Sequence, residues 1–206
     1  MYINVDQSTS STTVFLYNKR LLPNYDVFDE HRYFFNGTDV GVYKLIYNNI
    51  KIKIGLQICE DLWDDNQELK VSEEQKENGA EILINISASP FSIGKLEKRI
   101  KLIKKKIKEL RLPFIYCNMV GAQDEIIFDG SSLAFSKNGS LIKQAEYFKE
   151  CISIINFNMK KSSAVIFQKK EKKIFNALCL GVSDYFSKTG HKEAVIGLSG
   201  GIDSAL

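Results

Sequence analysis

A cysteine stands at the end of an apolar run and is followed at once by two acids, in IGLQICEDLWDD. Strand ends of α/β sheets are where side chains reach a reactive crevice. A thiolate at Cys59 could attack a carbonyl carbon and hold the acyl group as a thioester. The same pattern suits a buried cysteine that only packs, and both readings stand at this point. Glu60 and Asp61 favour the neutral thiol, so a reactive Cys59 needs a cation beside it. The two histidines, His31 and His191, are not placed to supply one. Lys19, just before LLPNY, is the substitute. Its ammonium would favour both the thiolate and the oxyanion formed on attack, unless it is a solvated surface lysine.

A second cluster lies in VIGLSGGIDSAL, which reads as apolar strand, small-residue turn and helix start. Gly200 and Gly201 let backbone N–H groups approach an anion, and the helix dipole adds to the pull. Ser199 and Ser204 can donate to phosphate oxygens. Asp203, an acid beside phosphate, makes sense through a bridging Mg²⁺. No GK[ST] follows, so this is not a Walker loop.

The elements that must position these residues alternate along the chain. TTVFLY reads as an edge strand, and LLPNYDVFDEHRYFFNG as loop. VGVYKLIYNNIKIKIGLQIC reads as a hairpin turning at Asn48-Asn49, with its second arm buried and ending at Cys59. VSEEQKENGA is a helix closed by Asn78-Gly79, where a left-handed cap needs no side chain. EILINISA and PFIYCNMVG are near-continuous apolar strands, as in a sheet covered on both faces. Between them Leu96, Ile100, Ile103, Ile107 and Leu110 form one helical stripe. SSLAFSKNGSLIKQAE is a hairpin around Asn138-Gly139, with a two-residue turn, and CISIINFNM continues as a strand. A polar linker then leads into a helix, and EAVIG into a further strand. The alternation indicates an α/β architecture with a mixed sheet. A domain boundary falls at about 160, separating 1–159 from 160–206.

Composition narrows the classes. Hydrophobic residues are 44% and charged residues 26% of 206, as in an ordinary globular protein. No apolar run is long enough to span a bilayer, which argues against a membrane protein. The N-terminus has no signal-like pattern and the four cysteines show no CxxC spacing, so a reducing, cytoplasmic location is expected without a disulfide framework or structural zinc. The net charge of +3 is set by Lys95–Arg111, whose nine basic and two acidic residues give +7 locally. That stretch lacks the interleaved aromatics of a nucleic-acid platform or a membrane-surface helix. Solvated charges on the outer face of a core-packed helix, or a partner-subunit surface, account for it.

KRLLPNYDVFDEHRYF, GLQICEDLW, NISASPFSIGK and GAQDEIIFDGSS resemble, in that order, the glutaminase domain of the glutamine-dependent NAD synthetases, a branch of the nitrilase superfamily. SGGIDS resembles the pyrophosphate loop of ATP pyrophosphatases that adenylate a substrate. The resemblance implies an α-β-β-α sandwich, incomplete at its N-terminus, followed by the start of a Rossmann-like domain. It makes Cys59 the nucleophile that takes the glutamyl group and Lys19 the catalytic lysine, with Glu30 steering Lys19. It assigns Tyr25, Ser89, Lys95 and Glu60 to the bound glutamine, Lys95 on its carboxylate and Glu60 on its ammonium. It assigns Gly197, Leu198, Ser199, Gly200, Gly201, Ile202, Asp203 and Ser204 to ATP, with Asp203 toward Mg²⁺, and implies no prosthetic group. The implied partners are glutamine, ATP, nicotinate adenine dinucleotide and further copies of the chain.

Nitrilase-type sites also use a glutamate base from an early strand. Residues 1–18 hold no glutamate, and their sole acid is Asp6. The expectation is therefore a fragment of a longer reading frame, cut at both ends and weak or silent in turnover alone. A stand-alone nitrilase-type hydrolase and a non-catalytic binding module are the alternatives.

Overall fold

The structure is a computed structural model that describes residues 15–47, 50–158 and 162–205. β1 (Val42–Tyr47) and β2 (Ile50–Ile58) are antiparallel arms of the expected hairpin, whose Asn48-Asn49 turn lies outside the described residues. α1 (Val71–Glu77) follows, and Gly79 just beyond it takes the expected left-handed backbone, φ +88°. β3 (Ile82–Ser87) and β4 (Phe114–Asn118) then run parallel to β2, with α2 (Lys95–Leu110) between them. β5 (Val120–Gln123) pairs only with β6 (Ile126–Asp129), as a separate two-stranded sheet. β7 (Leu133–Phe135) and β8 (Leu141–Gln144) complete the main sheet, in the order β1-β2-β3-β4-β7-β8. α3 (Lys170–Thr189) and α4 (Ile202–Ala205) end the chain. No helix among the described residues is long and apolar enough to cross a membrane.

The α2 stripe explains why one sheet face is covered. Leu96, Ile100, Ile103, Ile107 and Leu110 are all buried, in one cluster with Leu83, Phe114 and Phe135. On that face the register aligns Gly55, Leu83 and Phe114 in one row and Gln57, Asn85 and Tyr116 in the next. Cys59 lies one step further on, level with the end where Ser87 pairs with Asn118. The covered face thus turns from apolar to polar at the C-terminal ends of three parallel strands. The opposite face carries Ile54, Leu56 and Ile82 under Tyr17.

Several expectations change. The described part of TTVFLY, Phe15–Tyr17, belongs to no strand. The Asn138-Gly139 hairpin uses a three-residue loop: Gly139 N–H donates to Ser136 O at 2.9 Å, and Gly139 supplies φ +79°. CISIINFNM is not a strand over its described residues, and Ile152 and Ile154 are 100% and 95% exposed. EAVIG is likewise unpaired, with Val195 fully exposed. Both segments have strand composition, but a strand forms only where a neighbour offers its backbone groups, and none does so among the described residues. Lys95–Arg111 is not purely an outer face: Arg99 and Lys106 are 0% and 2% exposed and pair with Asp129 and Asp64 at 2.8 and 2.5 Å. The 160 boundary lies outside the described residues.

Candidate active site

Cys59 opens a single 3₁₀ turn, Cys59–Leu62, directly after β2, with a left-handed backbone, φ +46°. A β-carbon residue held there is strained, and the turn aims its side chain back over the strand ends. Below it runs a polar chain. Gln57 donates to Ser72 Oγ at 2.8 Å and accepts from Asn85, which also donates to the Cys59 carbonyl at 3.3 Å. Ser87 donates its hydroxyl to Asn85 Oδ1 at 2.6 Å.

Lys19 reaches this turn because its segment is fastened on both sides. Gly37 N–H donates to Lys19 O at 2.7 Å, and the chains are so close there that a β-carbon on Gly37 would meet Asn18 O at 2.2 Å. Arg20 and Leu21 donate their N–H groups to Asp61 Oδ1 at 3.0 and 2.9 Å. Tyr17 Oη and Ile58 N–H donate to Asp61 Oδ2 at 2.8 and 2.9 Å. Asp61, fully buried, therefore ties the lysine segment to the end of β2.

Lys19 and Cys59 line one cavity of about 420 Å³, together with Glu30, Ala88 and the apolar side chains Leu22, Phe28, Phe34, Phe35 and Ile58. The Lys19 ammonium donates to both oxygens of Glu30, at 2.8 and 2.6 Å. Burial pushes the Cys59 thiol above its ordinary pKa, and Glu60 adds to the rise. Lys19, the Ser87 hydroxyl and the Ala88 N–H pull the other way. In this cavity burial thus opposes the thiolate, while the Lys19 cation and the Ala88 N–H favour it.

Tyr25, Glu60 and Lys95 are not among the cavity walls; Tyr25 Oη donates to Glu60 Oε2 at 2.8 Å. Burial raises the Glu60 carboxyl, while Tyr25, Lys19 and Lys95 favour its anion. Lys95 is half-buried, with its ammonium 4.6 Å from the Trp63 ring centroid. Burial, then Arg99, push its pKa down, whereas Cys59 and Glu60 support its charge. Ser89 is 3% exposed and is not among the cavity walls; its hydroxyl and carbonyl face Arg99. From sequence Asp61 stands only as an acid beside the thiol, and Asn85, Ser87 and Asn118 are not reached. The signal of these three is polar residues two apart at the ends of otherwise apolar strands, in LQIC, INIS and IYCN.

The serine-glycine loop is formed without a strand before it. Ser199 and Ser204 hydroxyls lie 3.0 Å apart, Gly201 N–H donates to Ser199 Oγ at 3.3 Å, and Gly200 has φ +84°. Space beside Gly197 and Gly200 is open, and Asp203 is exposed at the start of α4.

The family profile described as Carbon-nitrogen hydrolase matches residues 2–167, and that described as NAD synthase matches residues 174–206. A Glutamine-dependent NAD(+) synthetase from Synechocystis sp. is 38% identical over 205 residues, covering 92% of this chain and 36% of that protein. A solved glutamine-dependent NAD+ synthetase from Acinetobacter baumannii, in complex with adenosine diphosphate, superposes with a TM-score of 0.78 at 32% identity, over 94% of this chain and 38% of that one. A carbon-nitrogen hydrolase from Helicobacter pylori G27 superposes with a TM-score of 0.57 at 26% identity, over 68% of this chain and 50% of that one. The chain spans about a third of the length of the curated relatives it matches.

Proposed function

The chain belongs to the carbon-nitrogen hydrolase family, and from that membership we propose that Cys59 hydrolyses the side-chain amide of glutamine to supply ammonia for ATP-dependent amidation of nicotinate adenine dinucleotide to NAD. The observation that carries this is the shared cavity of Lys19 and Cys59, with Glu60 and Lys95 offering charges of opposite sign beside it. An α-amino acid presents the matching pair, an ammonium and a carboxylate, and its amide carbon then falls to the thiol. A half-buried ammonium such as Lys95, resting on Trp63, gains most from a carboxylate partner.

In the reaction the Cys59 sulfur attacks the amide carbon, and the developing oxyanion is held by Lys19. The C–N bond then breaks, ammonia leaves with the thiol's former proton, and water cleaves the thioester to glutamate. Glu30 fixes the direction of the Lys19 ammonium, and Tyr25 does the same for Glu60. Ser89 contributes to the amino-acid end through its bracing loop. Removing the thiol proton calls for a base. Glu30 has both oxygens on Lys19 and Glu60 has Oε2 on Tyr25, and among the described residues no carboxylate is hydrogen-bonded to the Cys59 thiol. Turnover by these residues alone is therefore weaker by on the order of 10²–10⁴-fold. This favours, for the isolated chain, the alternative of a non-catalytic module that binds glutamine but seldom reacts with it.

The division at about residue 160 separates this unit from the start of a synthetase unit. There Gly197, Leu198, Ser199, Gly200, Gly201, Ile202, Asp203 and Ser204 suit the phosphates of ATP. The open space at Gly197 and Gly200 and the two hydroxyls fit an anion, and the exposed Asp203 carboxylate fits Mg²⁺, which would neutralise phosphate charge when bound. A cytoplasmic homo-oligomer is part of the same reading.

The test is covalent capture. A chloromethyl ketone isosteric with L-glutamine should modify Cys59, read by mass spectrometry of its peptide, with saturation and with protection by glutamine. Ammonia release should stay near the Cys59→Ala background. Modification of Cys117, Cys151 and Cys179 in preference to Cys59, or no protection by glutamine, overturns the proposal.

A further inference from the structure

Arg99 is a large charged side chain with no access to solvent. It projects from α2 one turn after Lys95, and its guanidinium works in two directions. Nη1 donates to Asp129 Oδ1 at 2.8 Å. The other edge grips the loop after β3: Nη2 donates to Ser89 O at 2.8 Å, to Ser89 Oγ at 3.2 Å and to Pro90 O at 3.3 Å, and Nε to Ser89 Oγ at 3.4 Å. Asn118 closes the ring. Its Oδ1 accepts from Ser89 N–H at 3.1 Å and its Nδ2 donates to Asp129 Oδ1 at 3.1 Å. The residue before this anchored pair is Ala88, which walls the Cys59 cavity and turns its N–H toward the thiol.

A buried ion pair is weak support for stability, since desolvating two charges offsets much of their attraction. The four bonds to Ser89 and Pro90 carbonyl and hydroxyl groups say more, because a planar fork can satisfy several acceptors at fixed angles. We infer that Arg99 is a positioning residue that holds the Ala88–Pro90 segment against the Cys59 cavity and so sets the seat for the amino-acid end of the substrate. This role rests on the proposed glutamine reading. Asp129 in turn fixes the guanidinium, and Asn118 fixes Asp129.

Arg99→Lys keeps the charge opposite Asp129 and removes the fork. Two reagents read the outcome at the Cys59 peptide. Iodoacetamide is small and reports thiol reactivity alone. The glutamine-shaped chloromethyl ketone reports both saturation (KI) and the maximal rate of capture. Expected for Arg99→Lys is a KI raised on the order of tenfold, with the iodoacetamide rate within about twofold of wild type. Should that variant not fold, Arg99→Gln combined with Asp129→Asn leaves no lone buried charge and is expected to show the same split. A wild-type KI in any folded variant, or an equal fall in both rates, overturns the positioning role. Wild-type protein that shows no saturable preference for the glutamine-shaped reagent overturns the glutamine reading itself, and this role with it.

Discussion

Asp61→Asn tests whether one carboxylate holds the lysine and the cysteine together. The four donors divide evenly, with Arg20 and Leu21 N–H on Oδ1 and Tyr17 Oη and Ile58 N–H on Oδ2. Asparagine can keep an oxygen on the first pair. Its amide nitrogen then faces the second. Tyr17 can rotate its hydroxyl and accept, but Ile58 N–H cannot, and it becomes a buried donor facing a donor. An unsatisfied buried group costs about 1–3 kcal/mol, and the bonds that remain lose their charge assistance. Against this, the buried charge disappears, and burial already pushes the Asp61 carboxyl toward its neutral form. A net loss of about 2 kcal/mol results, which with an m-value of about 2–3 kcal/mol/M shifts a urea midpoint down by about 1 M. The second arm is local: alkylation of Cys59 by iodoacetamide at fixed pH should slow, because the released Ile58 N–H belongs to the residue directly before Cys59. An unchanged midpoint refutes the energetic reasoning. A lowered midpoint with unchanged Cys59 reactivity refutes the clamp.

Two further outcomes follow from the same geometry. Because burial outweighs Lys19 at the thiol, the pH midpoint for Cys59 alkylation should lie above that of an ordinary cysteine, and Lys19→Met, which removes an opposing charge from the thiolate, should move it higher still; a lower midpoint in the variant contradicts the shared cavity. Asp184 on α3 accepts from Ala122 N–H on the free edge of β5 at 2.7 Å, so Asp184→Ala should loosen α3 by about 1 kcal/mol, seen as faster amide hydrogen exchange across residues 170–189 while the α2 amides stay unchanged.

Periodicity made the main elements legible. The α2 stripe, the Asn78-Gly79 stop and the parallel β2, β3 and β4 are readable because each reports a local rule: a helical face, a left-handed cap, or a continuous apolar run; the expected cover on both faces is not met in β4, whose Cys117 is exposed. Pairing is not local. CISIINFNM and EAVIG satisfy strand composition as well as ILINIS does, yet only ILINIS has neighbours on both sides. Charge burial is not local either. Nothing in KLEKRIKLIKKKIKEL separates Arg99 and Lys106 from the six exposed cations of the Lys95–Arg111 stretch; their positions are decided by Asp129 and Asp64, which lie 30 residues later and 42 earlier in the chain.

The candidate site shows the same division more sharply. Cys59 and Lys19 were found as reactive types near the right kinds of neighbour, but their reaction depends on groups that look unreactive. The left-handed turn at Cys59 is stable only because Asn85 takes its carbonyl and Asp61 takes the N–H of the residue before it. Asn85 in turn is oriented by Gln57, its register partner in the same row, and by Ser87, one row up. An apolar residue at any of these three positions would fit the strand pattern better. It would also leave amide and carbonyl groups at the strand ends without partners, which in a buried layer is the larger penalty. The polar rows thus do structural work for a thiol they need not touch, and their presence at the C-terminal ends of β2, β3 and β4 marks the site more firmly than the cysteine alone.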